Sequence, residues 1–265
     1  AEREEEIRSF TPEEYWTLDV TLDRIVPNLG RFKTHFHGRE KKIELKNQQQ
    51  VEEILAEIGS APFNVTGIKR QDKSRAPAPP FITSTLQQEA SRKLNMTPRR
   101  TMSIAQQLYE GVDLQEEGTV GLITYMRTDS LRISDEAMAE AQSFVQNRYG
   151  KEYYPEKPRQ YKTKAGAQDA HEAIRPSDIN LTPEKIKKDL TTEQYRLYKL
   201  IWGRFLASQM ASAIYDSVSI EVTSAGYTFR TSRSEVKFAG FLAVYEEVKD
   251  DESGEVQSPL PNLQE

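Results

Sequence analysis

The chain has 265 residues, 37% apolar and 29% charged, with 41 acidic against 36 basic side chains and a formal net charge of −5. That length can bury a full core in one large domain or two. No run approaches the roughly 18 apolar residues of a membrane span, and no basic-then-apolar signal opens the chain; with no cysteine there are no disulfides and no thiolate metal sites, so a cytoplasmic protein is the expectation.

In chain order, the first eight residues start inside a helical charge pattern with no cap, and residues 250–265 read as an acidic, proline-containing connector. Both ends therefore look like cuts in a longer protein. Thr11-Pro12-Glu13-Glu14 carries the cap, N1 proline and N3 glutamate of a helix start. Trp16, Leu18, Val20 and Leu22 then alternate as a strand, Asn28 to Gly30 supplies a turn, and residues 31–37 alternate again. Residues 48–58 predict an amphipathic helix with Val51, Ile54, Leu55 and Ile58 inward and Gly59 as its stop. Residues 65–69 form another strand, and the proline-dense stretch 75–81 marks a boundary.

Helices dominate after that boundary. Ser84 and Gln87 read as a capping box ahead of the stripe Leu86, Ala90 and Leu94; residues 101–110 make a helix closed by Gly111; Ser134 caps one that runs to Tyr149; and Thr182-Pro183-Glu184 opens a short one. From 192 to about 211, Tyr195, Tyr198, Trp202 and Phe205 share a face that Leu200, Ile201 and Leu206 widen, which predicts a buried central helix. Beyond Tyr215 the period returns to two through Val218, Ile220 and Val222, then Tyr227 and Phe229, then Val236 and Phe238. The sequence thus predicts a mixed α+β fold: a mostly helical domain, 85–211, inserted in a β-rich domain made of 16–84 and 212–246. Residues 1–15 would end another helical domain and 247–265 would be the connector.

The chemistry centres on Ile123-Thr124-Tyr125-Met126-Arg127-Thr128-Asp129-Ser130. Residues 120–124 are apolar and β-prone, whereas Thr128-Asp129-Ser130 is turn chemistry, so Tyr125 falls where a strand gives way to a loop. Arg127, two residues on, shares its face if the extended geometry persists. A phenol with a pKa near ~10 is a poor nucleophile at neutral pH and needs a cation that stabilises phenolate and developing phosphate charge. Arg127 is such a cation, although Tyr-x-Arg taken alone also fits a packing tyrosine beside a solvated arginine.

The charge pattern bears on a partner. Residues 1–20 hold seven acidic and two basic groups and residues 246–265 hold seven and one, so the interior is positive. Within 61–110, eight basic groups, Arg99 and Arg100 among them, outnumber three acidic ones. Such an excess suits backbone phosphates, although a charge cluster is more often a solvated face.

The block at 123–130 resembles the active-site block of the bacterial type IA DNA topoisomerases. Two more blocks agree in the same order, Pro79-Pro80-Phe81-Ile82-Thr83-Ser84-Thr85-Leu86-Gln87-Gln88 upstream and Ala170-His171-Glu172-Ala173-Ile174-Arg175-Pro176 downstream. The resemblance implies a β-rich arch carrying a helical domain and an ATP-independent enzyme that relaxes negative supercoils by cutting one DNA strand, passing a strand and religating. It implies Tyr125 as the nucleophile that keeps the 5′-phosphate and Arg127 as the group on the scissile phosphate. His171 becomes a DNA contact near the cut, Arg175 a weaker one, and Arg99 and Arg100 contribute through electrostatics. Mg²⁺ is implied on a separate TOPRIM domain with an acidic cluster that nothing here matches. The implied partners are single-stranded DNA and the remaining domains of the same polypeptide, in a monomeric, nucleoid-associated protein with no membrane contact. On this reading the chain alone is inactive, or only a DNA-binding module.

His171 lies in an alanine-rich stretch, 165–174, that reads as a short helix stopped by Pro176, which would put Arg175 one turn away on the same face. His35-Phe36-His37 places two imidazoles on one strand face, which with a tyrosine is the pattern of a relaxase-like nuclease, though that chemistry needs a third metal ligand and a helical tyrosine.

Overall fold

The computed structural model describes residues 2–23, 31–161 and 171–246. The expected turn at 28–30, the first part of the alanine-rich stretch and the acidic connector lie outside the described residues. Among the described residues the chain divides into two compact units, one of residues up to 73 with 216–235 and the other of 74–215 with 236–246. The first division falls among the residues just ahead of the prolines.

In the first unit, α1 (Glu2–Ser9) is a charged, solvated helix with Arg8 reaching Glu4 at 3.0 Å. The helix-start signal at Thr11, followed only by Tyr15 and Trp16 before the pattern turns to alternation, opens no helix: Trp16 N donates to the Leu45 carbonyl at 2.7 Å, which keeps the chain extended there. Strands β1 (Asp19–Leu22), β2 (Phe32–Gly38), β3 (Asn64–Arg75), β6 (Ala213–Ser224) and β7 (Tyr227–Phe238) form a sheet in the order β1-β2-β7-β6-β3. β1 pairs antiparallel with β2, and β2 with β7 across an irregularity between Phe36 and Gly38. β6 and β7 are joined through Ala225 and Gly226, both at positive φ (48° and 79°), the conformation of the tight hairpin turn that suits twisted strands.

Helix α2 (Gln48–Ile58) has the expected limits, because both ends are written in the sequence. The Asn47 side chain accepts from Gln50 N, and Gly59 N donates to the Leu55 carbonyl. Val51, Ile54 and Ile58 pack with Leu45, Tyr227 and Phe229, each burial contributing roughly 1.5–3 kcal/mol. Leu55 does not join them. It is 49% exposed, since at 100° per residue it falls on the flank of the stripe.

The second unit is built around α6 (Thr192–Gln209), which is buried on all sides from Leu200 onward and packs against α3 (Thr83–Leu94), α4 (Pro98–Glu110) and α5 (Asp135–Arg148). Its polar tips find partners: Tyr198 donates to the Leu181 carbonyl at 2.7 Å and the Trp202 indole to the Ile179 carbonyl at 3.0 Å. α3 starts one residue earlier than its expected cap, with Thr85 Oγ1 rather than Gln87 reaching back to accept from Ile82 N at 3.0 Å. Residues 183–189 form consecutive turns rather than a helix, and β4 (Val112–Leu114) with β5 (Gly118–Val120) adds a short hairpin ahead of the tyrosine.

Candidate active site

Tyr125 stands on a short extended segment held between two others. Ile123 bridges Pro176, Phe81 bridges Ile174, Leu122 N donates to the Leu108 carbonyl at 2.7 Å and Thr124 N to the Arg175 carbonyl at 2.9 Å. The Thr124 hydroxyl donates to the Ala173 carbonyl at 2.7 Å and accepts from Arg175 N at 3.0 Å. On the other side Thr83, at the start of α3, grips the loop: its N–H donates to the Thr128 carbonyl (2.9 Å), and its hydroxyl donates to the Met126 carbonyl (2.8 Å) while accepting from Thr128 N (2.9 Å).

This grip makes side chains alternate. Met126, Thr128 and Ser130 are buried, whereas Tyr125, Arg127 and Asp129 face solvent. Tyr125 and Arg127 therefore project from the same side of a fixed backbone, as the extended reading requires. The segments that fix them are anchored in turn, for buried Arg204 donates from Nε to the Pro79 carbonyl at 2.6 Å and lies 5.0 Å from the Phe81 ring.

His171 joins the tyrosine. Its ring lies 5.6 Å from that of Tyr125, and Tyr109 meets Tyr125 edge-on at 5.4 Å. The described part of the expected 165–174 helix is not helical. Residues 171–176 run extended because the backbone of Ala173 and Ile174 is spent on Arg132 and Phe81, Ala173 N donating to the Arg132 carbonyl at 2.8 Å and Ile174 N to that of Phe81 at 2.8 Å.

Arg175 is near the site by its backbone only. Its guanidinium is bound to Glu172 (3.0 and 2.7 Å), the Pro176 carbonyl (3.0 Å) and Ser134 Oγ (3.4 Å), and only 13% of its side chain is exposed. Arg99 and Arg100 lie on the first turn of α4, about 15 Å along the helix axis from Tyr109. Arg100 is paired with Glu193, whose carboxyl is held below its ordinary range by that guanidinium, and Arg99 is exposed. The structure thus sets His171 against Tyr125, leaves Arg127 exposed on the same side of the loop as the tyrosine, and keeps the α4 arginines at the far end of that helix.

His35 and His37 lie in the other unit and are each engaged. His35 Nδ1 is 2.7 Å from Asp19 Oδ1, and His37 Nε2 accepts a hydrogen bond from the Arg230 guanidinium at 2.9 Å. Among the described residues no group of three or more His, Cys, Asp or Glu side chains could hold a metal ion, and the third ligand that the histidine pair would need is not among them.

Composition and period did not single out Thr83, Tyr109, Thr124 or Gly121. Gly121 is required by a close approach, since a Cβ there would lie 2.8 Å from the Tyr109 carbonyl.

A family model described as DNA topoisomerase matches residues 1–265. Among solved structures, full-length topoisomerase I from Thermotoga maritima is similar to this chain with a TM-score of 0.76 and 33% sequence identity. The match covers 100% of this chain and 40% of that one, so the chain spans well under half the length of the protein it matches.

Proposed function

Because the chain belongs to the bacterial type IA DNA topoisomerases, we propose that it supplies the tyrosine of an ATP-independent enzyme that relaxes negative supercoils by cutting one strand, passing another through and religating. The observation that carries this reading is the clamped segment that projects Tyr125 and Arg127 from one side, with His171 against the tyrosine ring.

The Tyr125 oxygen bonds to phosphorus and the bond from phosphorus to the 3′-oxygen breaks. The phenol loses its proton, the departing 3′-oxygen gains one, and the 5′-phosphate stays on the protein as a tyrosyl ester. Attack by the 3′-hydroxyl reverses every one of these changes, so bond energy is conserved and no nucleotide is consumed. Arg127 offsets charge on the phosphate as it builds, a task suited to a permanently charged planar fork. His171 contacts the phosphate backbone beside the cut. The substrate is single-stranded DNA, held in a salt-dependent way by local basic groups on a chain of negative net charge.

The Mg²⁺ donors belong, on this reading, to a TOPRIM domain of the same polypeptide, and no step above passes through them. No described helix is long and apolar enough to cross a membrane. On the same reading the enzyme is monomeric and works on the nucleoid in the cytoplasm. The test is Tyr125→Phe in the intact enzyme with Mg²⁺: covalent adduct and relaxation disappear while DNA binding persists, and the 265-residue chain alone forms no adduct. An adduct that survives in the phenylalanine variant refutes the assignment.

A further inference from the structure

We propose that Tyr109, in the last turn of α4, is a positioning residue that holds the Tyr125 ring in one orientation for attack. The inference rests on the reading of Tyr125 as the nucleophile. Tyr125 is 38% exposed, and a half-exposed tyrosine on extended backbone has several side-chain rotamers open to it. Two rings restrict that choice: Tyr109, 5.4 Å away at an interplanar angle of 65°, and His171, 5.6 Å away at 54°. The first is the edge-to-face arrangement that aromatic pairs prefer.

Three further features register α4 against the segment that carries Tyr125. Leu122 N donates to the Leu108 carbonyl at 2.7 Å; Gly121 approaches the Tyr109 carbonyl so closely that a Cβ would sit 2.8 Å from it; and Gly111, at φ +131°, ends the helix there. Tyr109 is not needed to fill the core. Thr101, Ile104, Ala105 and Leu108 form the buried stripe of α4, while Tyr109 is 41% exposed. Its ring contact with Tyr125 accounts for an exposed aromatic at that position.

Losing an aromatic pair of this kind lowers the population of the productive orientation by about three- to tenfold. In the intact enzyme with Mg²⁺ and a labelled single-stranded oligonucleotide, Tyr109→Leu should slow single-turnover adduct formation by that factor, with DNA affinity and melting temperature unchanged. Tyr109→Phe, which keeps the ring, should restore the rate to within about twofold. A parent-like rate for Tyr109→Leu, or a phenylalanine variant as slow as the leucine one, overturns the proposal. So does a loss confined to DNA affinity, which would make Tyr109 a base-stacking platform. Tyr125→Phe run in parallel separates the two readings: if its adduct persists, the nucleophile assignment itself fails, and if it is abolished while Tyr109→Leu cleaves normally, only the positioning role does.

Discussion

Thr83→Val removes a hydroxyl of about the same size as the methyl that replaces it, so the change is almost purely in hydrogen bonding. In the structure that hydroxyl accepts from Thr128 N at 2.9 Å and donates to the Met126 carbonyl at 2.8 Å, and both partners are dry, with Met126 1% and Thr128 5% exposed. A buried polar group left without its partner costs about 1–3 kcal/mol, so two such groups together cost roughly 2–6 kcal/mol if water cannot enter. The loss falls on the two residues that flank Arg127, one of which directly follows Tyr125. If about 2 kcal/mol of it is met by local opening of the loop, the clamped conformer falls by roughly 30-fold relative to open ones. The assay pairs urea unfolding with single-turnover adduct formation on single-stranded DNA, using Thr83→Ser as the variant that retains the hydroxyl. Valine should lower stability and slow cleavage together, and serine should stay close to the parent in both. A valine variant with parent-like stability and cleavage would refute the idea that Thr83 sets the alternation of this loop.

Arg127→Ala should slow adduct formation by about 10²–10³-fold, as for loss of one donor acting on transition-state charge; a loss in DNA affinity alone would contradict that role. Arg175→Ala should destabilise the fold by roughly 3 kcal/mol in a denaturant titration, because Glu172 is left with 18% exposure and no cation; a variant of parent stability with weaker DNA binding would instead restore Arg175 as a phosphate contact. Burial pushes the Tyr161 phenol up to about 12 and raises Tyr198 and Tyr245 as well, so the fold favours their neutral forms. That stabilisation is complete below the ordinary phenol value near ~10 and is lost as pH rises from there toward ~12. Unfolding free energy measured at several pH values should fall across that window and fall less steeply in Tyr161→Phe; a flat profile would count against it.

Much of the architecture was legible because its signals are local. The limits of α2 follow from Asn47 and Gly59, and the long apolar pattern of α6 announced a buried helix. The mixed fold could be read from the change of period from two to 3.6 and back. The segment around His171 misled because alanine favours helix, while what decides its conformation is pairing with Phe81 and Arg132, neither of which is nearby in sequence. Leu55 failed for a smaller reason, one step of helix rotation. That His171 should meet Tyr125 came from the three matching blocks, since no periodicity links positions 125 and 171. Thr83 and Tyr109 escaped because a hydroxyl against a backbone and a ring against a ring leave no pattern along the chain.

The strand order of the sheet also sets a timetable for synthesis. β3 neighbours β6, and Thr66 donates to the carbonyl of a residue 155 positions later, Glu221. As the chain emerges from the ribosome, β3 has no sheet partner until the whole helical unit has followed it, whereas α3, α4 and α6 meet over shorter separations and can pack first. During that interval both edges of β3 are open, and the strand is protected by composition. Lys69, Arg70, Asp72 and Lys73 make it a poor template for pairing with another chain, in the way that charged edge strands resist aggregation. The positive charge on this strand therefore has a reason to be there before any nucleic acid is bound.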